Sequence, residues 1–416
     1  MNCKERLMKY AAIRTPSDEN SDTVPSATCQ FELAQHLHRE LFTMGITDVK
    51  VTTQCYLYAH IPASLGYEDR PVLGFIAHLD TVSDFCDHRV IPVVHEDYNG
   101  RDLPLETSGR ILSPEMFPHL KSMVGRTLIT SDGTTILGAD DKAGIAEIMT
   151  MAERIITEDI PHGPVSIAFT PDEEIGMGAA YFDLEEFAAD FAYTLDGGTE
   201  GEIQYENFNA CKARFVIKGV NVHPGSAKNV MVNAALIAME MNSLLPAGET
   251  PRDTEGYEGF YHLTEMRGDV AEAVLDYMIR DHDAENFNRR KDILREIAKN
   301  MNLKWGRGTV ELTITDQYRN MSEIISGHMH LIEHAEKACR NAGVTPLTLP
   351  IRGGTDGAQL SFKGLPCPNL GTGGHGYHGP YEHITVEGME AACDVALELV
   401  KIYAGESYFK NRKPME

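Results

Sequence analysis

Between residues 27 and 44 the apolar side chains Phe31, Ala34, Leu37, Leu41 and Met44 recur at steps of three and four, which predicts an amphipathic helix. The same period returns at 143–156 and at 388–403. Short apolar runs lie between these helices, at 72–77, 135–137, 165–169, 191–195 and 367–370, and each closes on polar residues. Helices alternating with such strands predict an α/β sheet covered on both faces. From about 207 to 316 the order changes to strand (210–220), helix (230–244), strand (260–266), strand (271–280), helix (284–301) and strand (309–315). This β-α-β-β-α-β unit can bury a core of its own. It predicts a smaller α+β (ferredoxin-like) domain at 207–316, inserted into a larger discontinuous domain made of 1–206 and 317–416. The stretch 84–133 is loop-rich and too long for an ordinary connection, so it reads as a further insertion.

Each apolar run of the larger domain ends in groups able to hold a metal. They are His78-Leu79-Asp80, Gly138-Ala139-Asp140-Asp141-Lys142, Pro171-Asp172-Glu173-Glu174, Asp196-Gly197-Gly198 and Gly374-His375-Gly376-Tyr377-His378-Gly379. One such cluster alone reads equally well as a turn. Five of them meet at the carboxyl edge of the sheet, where α/β folds bind ligands. The acidic pairs Asp140-Asp141 and Glu173-Glu174 would repel one another there unless cations neutralised them. Mixed imidazole and carboxylate donors point to zinc, with manganese or cobalt as replacements.

Composition narrows the class of partner. The 416 residues are 42% hydrophobic and 24% charged, as in globular proteins. Lys and Arg total 37 against 62 Asp and Glu, a net charge of -25 that excludes nucleic acid and anionic membranes as partners. No stretch reaches the ~20 apolar residues of a membrane span. The opening Met1-Asn2-Cys3-Lys4-Glu5-Arg6 lacks the apolar core of a signal peptide, so a cytoplasmic protein is expected. The eight cysteines form no C-x-x-C pair and read as reduced thiols. A homodimer is compatible with the sequence but not specified by it.

The motifs His78-Leu79-Asp80-Thr81, Leu112-Ser113-Pro114-Glu115-Met116-Phe117-Pro118, Leu137 to Gly144, Thr170-Pro171-Asp172-Glu173-Glu174-Ile175-Gly176 and Val222-His223-Pro224-Gly225 together resemble the peptidase T family. These are tripeptide aminopeptidases within the co-catalytic di-zinc exopeptidases, and the resemblance spans essentially the whole chain. It implies a mixed-sheet catalytic domain carrying two zinc ions, with the inserted domain as a lid and a short peptide as substrate. Position by position, it makes Asp140 a carboxylate bridging both metals, with His78 and Asp196 completing one site and Glu174 and His378 the other. Glu173 is left as general base, and a cis peptide is implied between Asp140 and Asp141. His78 and Asp80, two apart on one side of a strand, would let Asp80 orient the imidazole. Where the family usually has Asn-Phe-His-Gly-Lys, this chain has Gly376-Tyr377-His378-Gly379-Pro380. Register selects His378, with His375 and His383 as neighbouring alternatives. The resemblance also implies that His223 polarises the scissile carbonyl and that Asn233, Arg280 and Arg352 hold the peptide's carboxylate end. A dipeptidase or an N-acyl amino acid deacylase built on the same metal core is the rival expectation.

Overall fold

The computed structural model describes residues 1–405, which form two compact units. The larger unit comprises Met1–Tyr205, Glu323–Leu349 and the chain from Thr355 onward; the smaller comprises Glu206–Ser322 and Pro350–Gly354.

The larger unit is built on an eight-stranded mixed sheet. Its centre is four parallel strands in the order Val165–Thr170, Leu73–His78, Phe191–Gly197 and Asn369–Gly371. Antiparallel neighbours flank them, Leu57–Ile61 on one side and Glu202–Gln204 on the other. Every residue of Leu73–His78 and of Val165–Thr170 is buried, because helices cover both faces of a central parallel sheet. The helix Ala139–Thr157 buries most of its length against this sheet and against the helices Cys3–Ala11 and Val386–Ala404.

Two expectations change. The run 135–137 is not a strand: the strand is Leu128–Ser131, after which the chain turns at Gly133 (φ +84°). The amide of Leu137 then bonds to the Glu382 carboxylate rather than to a neighbouring strand. The stretch 84–133 also carries structure of its own. Pro92–His95 and Leu128–Ser131 join His383–Thr385 and Gly374–His375 in a four-stranded sheet, and Leu103–Leu105 pairs with Arg110–Leu112. Tyr98, Leu112, Leu120, Met123 and Leu128 give this insertion a small core, against which Phe117 and Tyr381 pack.

The smaller unit is a four-stranded antiparallel sheet in the order Phe260–Gly268, Glu272–Asp281, Asn209–Lys218, Val310–Tyr318. Numbered along the chain, that order is 2-3-1-4, the ferredoxin-like arrangement. The strand Asn209–Lys218 alternates buried and exposed positions along much of its length, since only one face is covered. Its buried face packs with helices Ala234–Ser243 and Ala284–Trp305 around Phe215, Ile217, Leu275, Ile279, Leu294 and Met301.

Helix Ala139–Thr157 approaches the sheet at Gly144. A Cβ there would collide with the carbonyl oxygen of Leu195 and the carboxylate of Asp141. Gly144→Ala is therefore expected to cost about 1–3 kcal/mol or more in unfolding free energy, measured by urea denaturation, because backbone on one side cannot yield.

Candidate active site

The strand ends deliver the clustered residues to one edge of the larger sheet. His78 closes the strand Leu73–His78, Asp196 lies in Phe191–Gly197, and the chain leaving Val165–Thr170 passes through Asp172 to the single turn Glu173–Ile175. Asp140 and Asp141 open the helix Ala139–Thr157, and their shared peptide is cis, as the resemblance implies. His378, in a left-handed conformation (φ +62°), comes from the loop after Gly374–His375.

Two triads of donor atoms gather there: His78 with Asp141 and Asp196, and His78 with Asp140 and Glu174. The two oxygens of Asp140 face different imidazoles. Oδ1 lies 2.9 Å from His78 Nε2, and Oδ2 lies 3.2 Å from His378 Nε2. His378 Nε2 is also 3.1 Å from Glu174 Oε2, while His78 Nε2 is 3.6 Å from Asp196 Oδ1. His375 and His383 face elsewhere. Their rings pack with His119, with His375 stacked on it at 4.1 Å and His383 Nε2 lying 2.8 Å from His119 Nε2.

The remaining carboxylates are held by backbone amides. Asp80, fully buried, accepts the amide of Glu173 at 2.9 Å and that of Glu174 at 3.2 Å. His78 Nδ1 sits 3.1 Å from the Asp80 carbonyl and 3.4 Å from its carboxylate. The contacts of Nδ1 with Asp80 orient the ring so that Nε2 faces Asp140. Asp141 accepts the amide of His78 at 3.0 Å. Asp172, with φ +58°, accepts from the Ser26 amide and hydroxyl and from Gln30, which pins the turn that presents Glu173 and Glu174. Glu382 accepts three further amides, from Leu137, Gly138 and Asp140. The Tyr377 hydroxyl donates to the Gly197 carbonyl at 2.8 Å, tying the His378 loop to the Asp196 strand. Sequence reasoning assigned no role to Asp172, Tyr377 or Glu382. The only signal was their place inside quoted motifs or next to one.

The electrostatics fit a site made for cations. Burial, then the charge of Asp196, pushes Glu173 and Asp141 well above the usual carboxylate range. Burial, then Asp140, lifts Glu174 to about 7. Burial likewise raises Asp196, against the opposing pull of His78. Asp140 is the exception: burial would raise it, but the His378 and His78 imidazoles hold it below the ordinary range. Glu174 Oε1 is buried with no hydrogen-bond partner. An orphaned carboxylate oxygen among like charges is what a divalent cation would satisfy.

The smaller unit holds the other expected residues. His223 is exposed, and its Nδ1 accepts the Gly225 amide at 3.1 Å, so the neutral ring carries its proton on Nε2. Asn233 caps the helix Ala234–Ser243, with its side chain accepting the Leu236 amide. Arg352 spends its terminal nitrogens on the carbonyls of Thr254, Gly256 and Glu258 and lies over Phe208. Arg280 donates to the Arg352 carbonyl at 2.9 Å, and its Nε is buried without a partner.

A discontinuous α/β domain with an inserted ferredoxin-like domain, and paired His-carboxylate triads at its sheet edge, defines the class of two-metal exopeptidases. Residues 135–402 match the model of peptidase family M20/M25/M40. The chain is 49% identical over 406 residues to a peptidase T from Alkaliphilus oremlandii, covering 97% of this chain and 99% of that one. It is 51% identical over 401 residues to a peptidase T from Clostridium perfringens, covering 96% and 98%. In fold it is similar to a tripeptidase from Staphylococcus aureus, with a TM-score of 0.78, 24% identity and coverage of 97% and 98%. It is also similar to an aminopeptidase from Bacillus cereus, with a TM-score of 0.76, 22% identity and the same coverage of 97% and 98%. The chain belongs to peptidase family M20/M25/M40 and, within it, to the peptidase T group of metallo-exopeptidases.

The doubled role of Asp80 is open to test. In Asp80→Asn the side-chain amide presents a donor to one of two backbone donors, which displaces Glu173 or Glu174. Peptidase activity is expected to fall about 10- to 100-fold while far-UV circular dichroism stays unchanged. Activity within twofold of the parent would show that neither glutamate depends on that carboxylate.

Proposed function

We propose that this enzyme releases the N-terminal residue of tripeptides with the help of two zinc ions, one held by His78 and Asp196, the other by Glu174 and His378, with Asp140 between them. The observation that carries the assignment is the division of Asp140, one oxygen toward each imidazole. Two imidazoles with three carboxylates suit zinc, and manganese or cobalt would be accepted by the same donors. The bound cations supply positive charge that polarises the scissile carbonyl and lowers the pKa of water.

The chain's own residues do the rest. Glu173 takes a proton from the attacking water and passes it to the leaving amine. Asp80 fixes the backbone of Glu173 through its amide and so sets where that base stands. The protonated Nε2 of His223 is the donor for the carbonyl oxygen as it gains charge. Arg280, with its unpartnered Nε, is the group for the substrate's carboxylate. Arg352 supports it through the carbonyl that accepts from Arg280, and Asn233, at the start of the helix Ala234–Ser243, is the further polar group for that carboxylate end. Eight unpaired cysteines support a reducing, cytoplasmic setting.

In Glu173→Gln we expect two metals per chain by elemental analysis and a kcat lower by about 10²–10⁴. Turnover near that of the parent would remove Glu173 from the mechanism. Substrate class is tested on a panel of free tripeptides, dipeptides, N-acetylated amino acids and C-terminally amidated tripeptides. Free tripeptides are expected to exceed the amidated ones by about 10-fold or more in kcat/KM, the scale of losing a charged contact. Preference for dipeptides or for N-acetylated substrates would instead establish the dipeptidase or the deacylase.

A further inference from the structure

We propose that Glu382 is a positioning residue of the metal centre, its carboxylate fixing the backbone that carries Asp140 and so tying it to the turn, closed by the Glu382 amide, that follows His378. The proposal rests on the assignment of Asp140 and His378 as metal ligands.

Glu382 is 1% exposed. Its oxygens are satisfied by backbone. Oε2 accepts the amides of Leu137 and Gly138, each at 2.7 Å, and Oε1 accepts the amide of Asp140 at 2.9 Å. These donors flank a stretch that makes no regular structure. Gly138 is left-handed at φ +74°, and Asp140 (φ -82°, ψ 103°) and Asp141 depart from helical geometry although they open the helix. Three amides without ladder or helix partners at a buried turn would each carry the cost of desolvation. The carboxylate removes it for all three and locks the turn in the shape that aims Asp140.

The other end of Glu382 is tied to the second imidazole. Its own amide donates to the Gly379 carbonyl at 3.1 Å, closing a tight turn directly after His378. The next residue, His383, enters the small sheet opposite Thr130. The side chain therefore links two segments that are 242 residues apart in sequence, and those segments supply Asp140 and the His378 that faces its Oδ2. Charge-assisted acceptance from several amides is a stiff restraint, because each bond must be broken to rotate the carboxylate. Glu382 itself touches neither substrate nor reacting atoms, so it acts through Asp140 and His378.

The test is Glu382→Gln, which keeps shape but places a donor against one of three donors. Metal affinity is measured by zinc titration of the metal-stripped full chain in competition with a chromophoric chelator, alongside apo-protein Tm. Kinetics are measured at saturating zinc. We expect two equivalents bound with affinity lower by about 10- to 100-fold, and a reduced kcat with KM changed less than about twofold. If the glutamine variant does not fold, Glu382→Asp, which reaches only part of the amide set, is measured in the same way and should show the same loss. Parental zinc affinity and kcat, with only a lowered Tm, would overturn the proposal and leave Glu382 a structural residue. Asp140→Asn separates the two readings. If it retains both zinc equivalents at parental affinity, the ligand assignment fails; if it loses them while Glu382→Gln binds as the parent does, only the positioning role fails.

Discussion

The edge of the larger sheet has to accommodate Asp80, Asp140, Asp141, Glu173, Glu174 and Asp196 beside the His78 and His378 imidazoles, and the rest of the site follows from how that charge is shared out. Removing a carboxylate from water costs several kcal/mol unless it is paired or bonded. The structure answers with two kinds of partner. Backbone amides take Asp80, Asp141, Asp172 and Glu382. Asp140, Glu174 and Asp196 have no amide partner of that kind and converge on the imidazoles instead, with one Glu174 oxygen left bare. The first set shapes the walls, and the second, together with Asp141 and His78, gathers the donor atoms able to hold a cation. That partition explains why adjacent acids have different duties: in Asp140-Asp141, the second holds the His78 amide while the first points outward to both imidazoles.

Much of this was legible along the chain. Periods of two and of three to four located the parallel strands, the long helices and the β-α-β-β-α-β insertion, because each element buries one face or both and the apolar residues record it. The clusters that hold His78, Asp140, Glu174 and His378 were legible as polar groups near the ends of apolar runs, although the run 135–137 before Asp140 is not a strand. The resemblance to peptidase T then chose among neighbours that spacing could not separate, such as His375, His378 and His383. Of these three, His378 faces Asp140 and the other two stack with His119.

What could not be read was held by contacts remote in sequence. The run 135–137 looks like a strand by composition, yet Leu137 gives its amide to Glu382, a partner 245 residues away. Asp172 looks like a turn residue, which it is, but its side chain is fixed by Ser26 and Gln30. In the smaller unit, a short strip from Pro350 to Gly354 joins the inserted domain although it lies far beyond its continuous segment. The amide of Ile351 bonds to the Glu206 carbonyl, and no local periodicity encodes so short a pairing.

That strip also changes what arginine type alone can establish. Two guanidinium groups in one domain suggest two equivalent grips on a carboxylate. Arg352 instead directs its terminal nitrogens to the carbonyls of a loop in its own unit and spreads over Phe208 and Phe260, so its fork is already filled. Its main-chain oxygen holds one arm of Arg280, whose Nε is buried without a partner beside the Tyr318 ring. A buried donor left unmade costs about 1–3 kcal/mol. Of the two arginines, the fold completes the bonds of Arg352, and through its carbonyl Arg352 holds Arg280, which is left with a bond unmade.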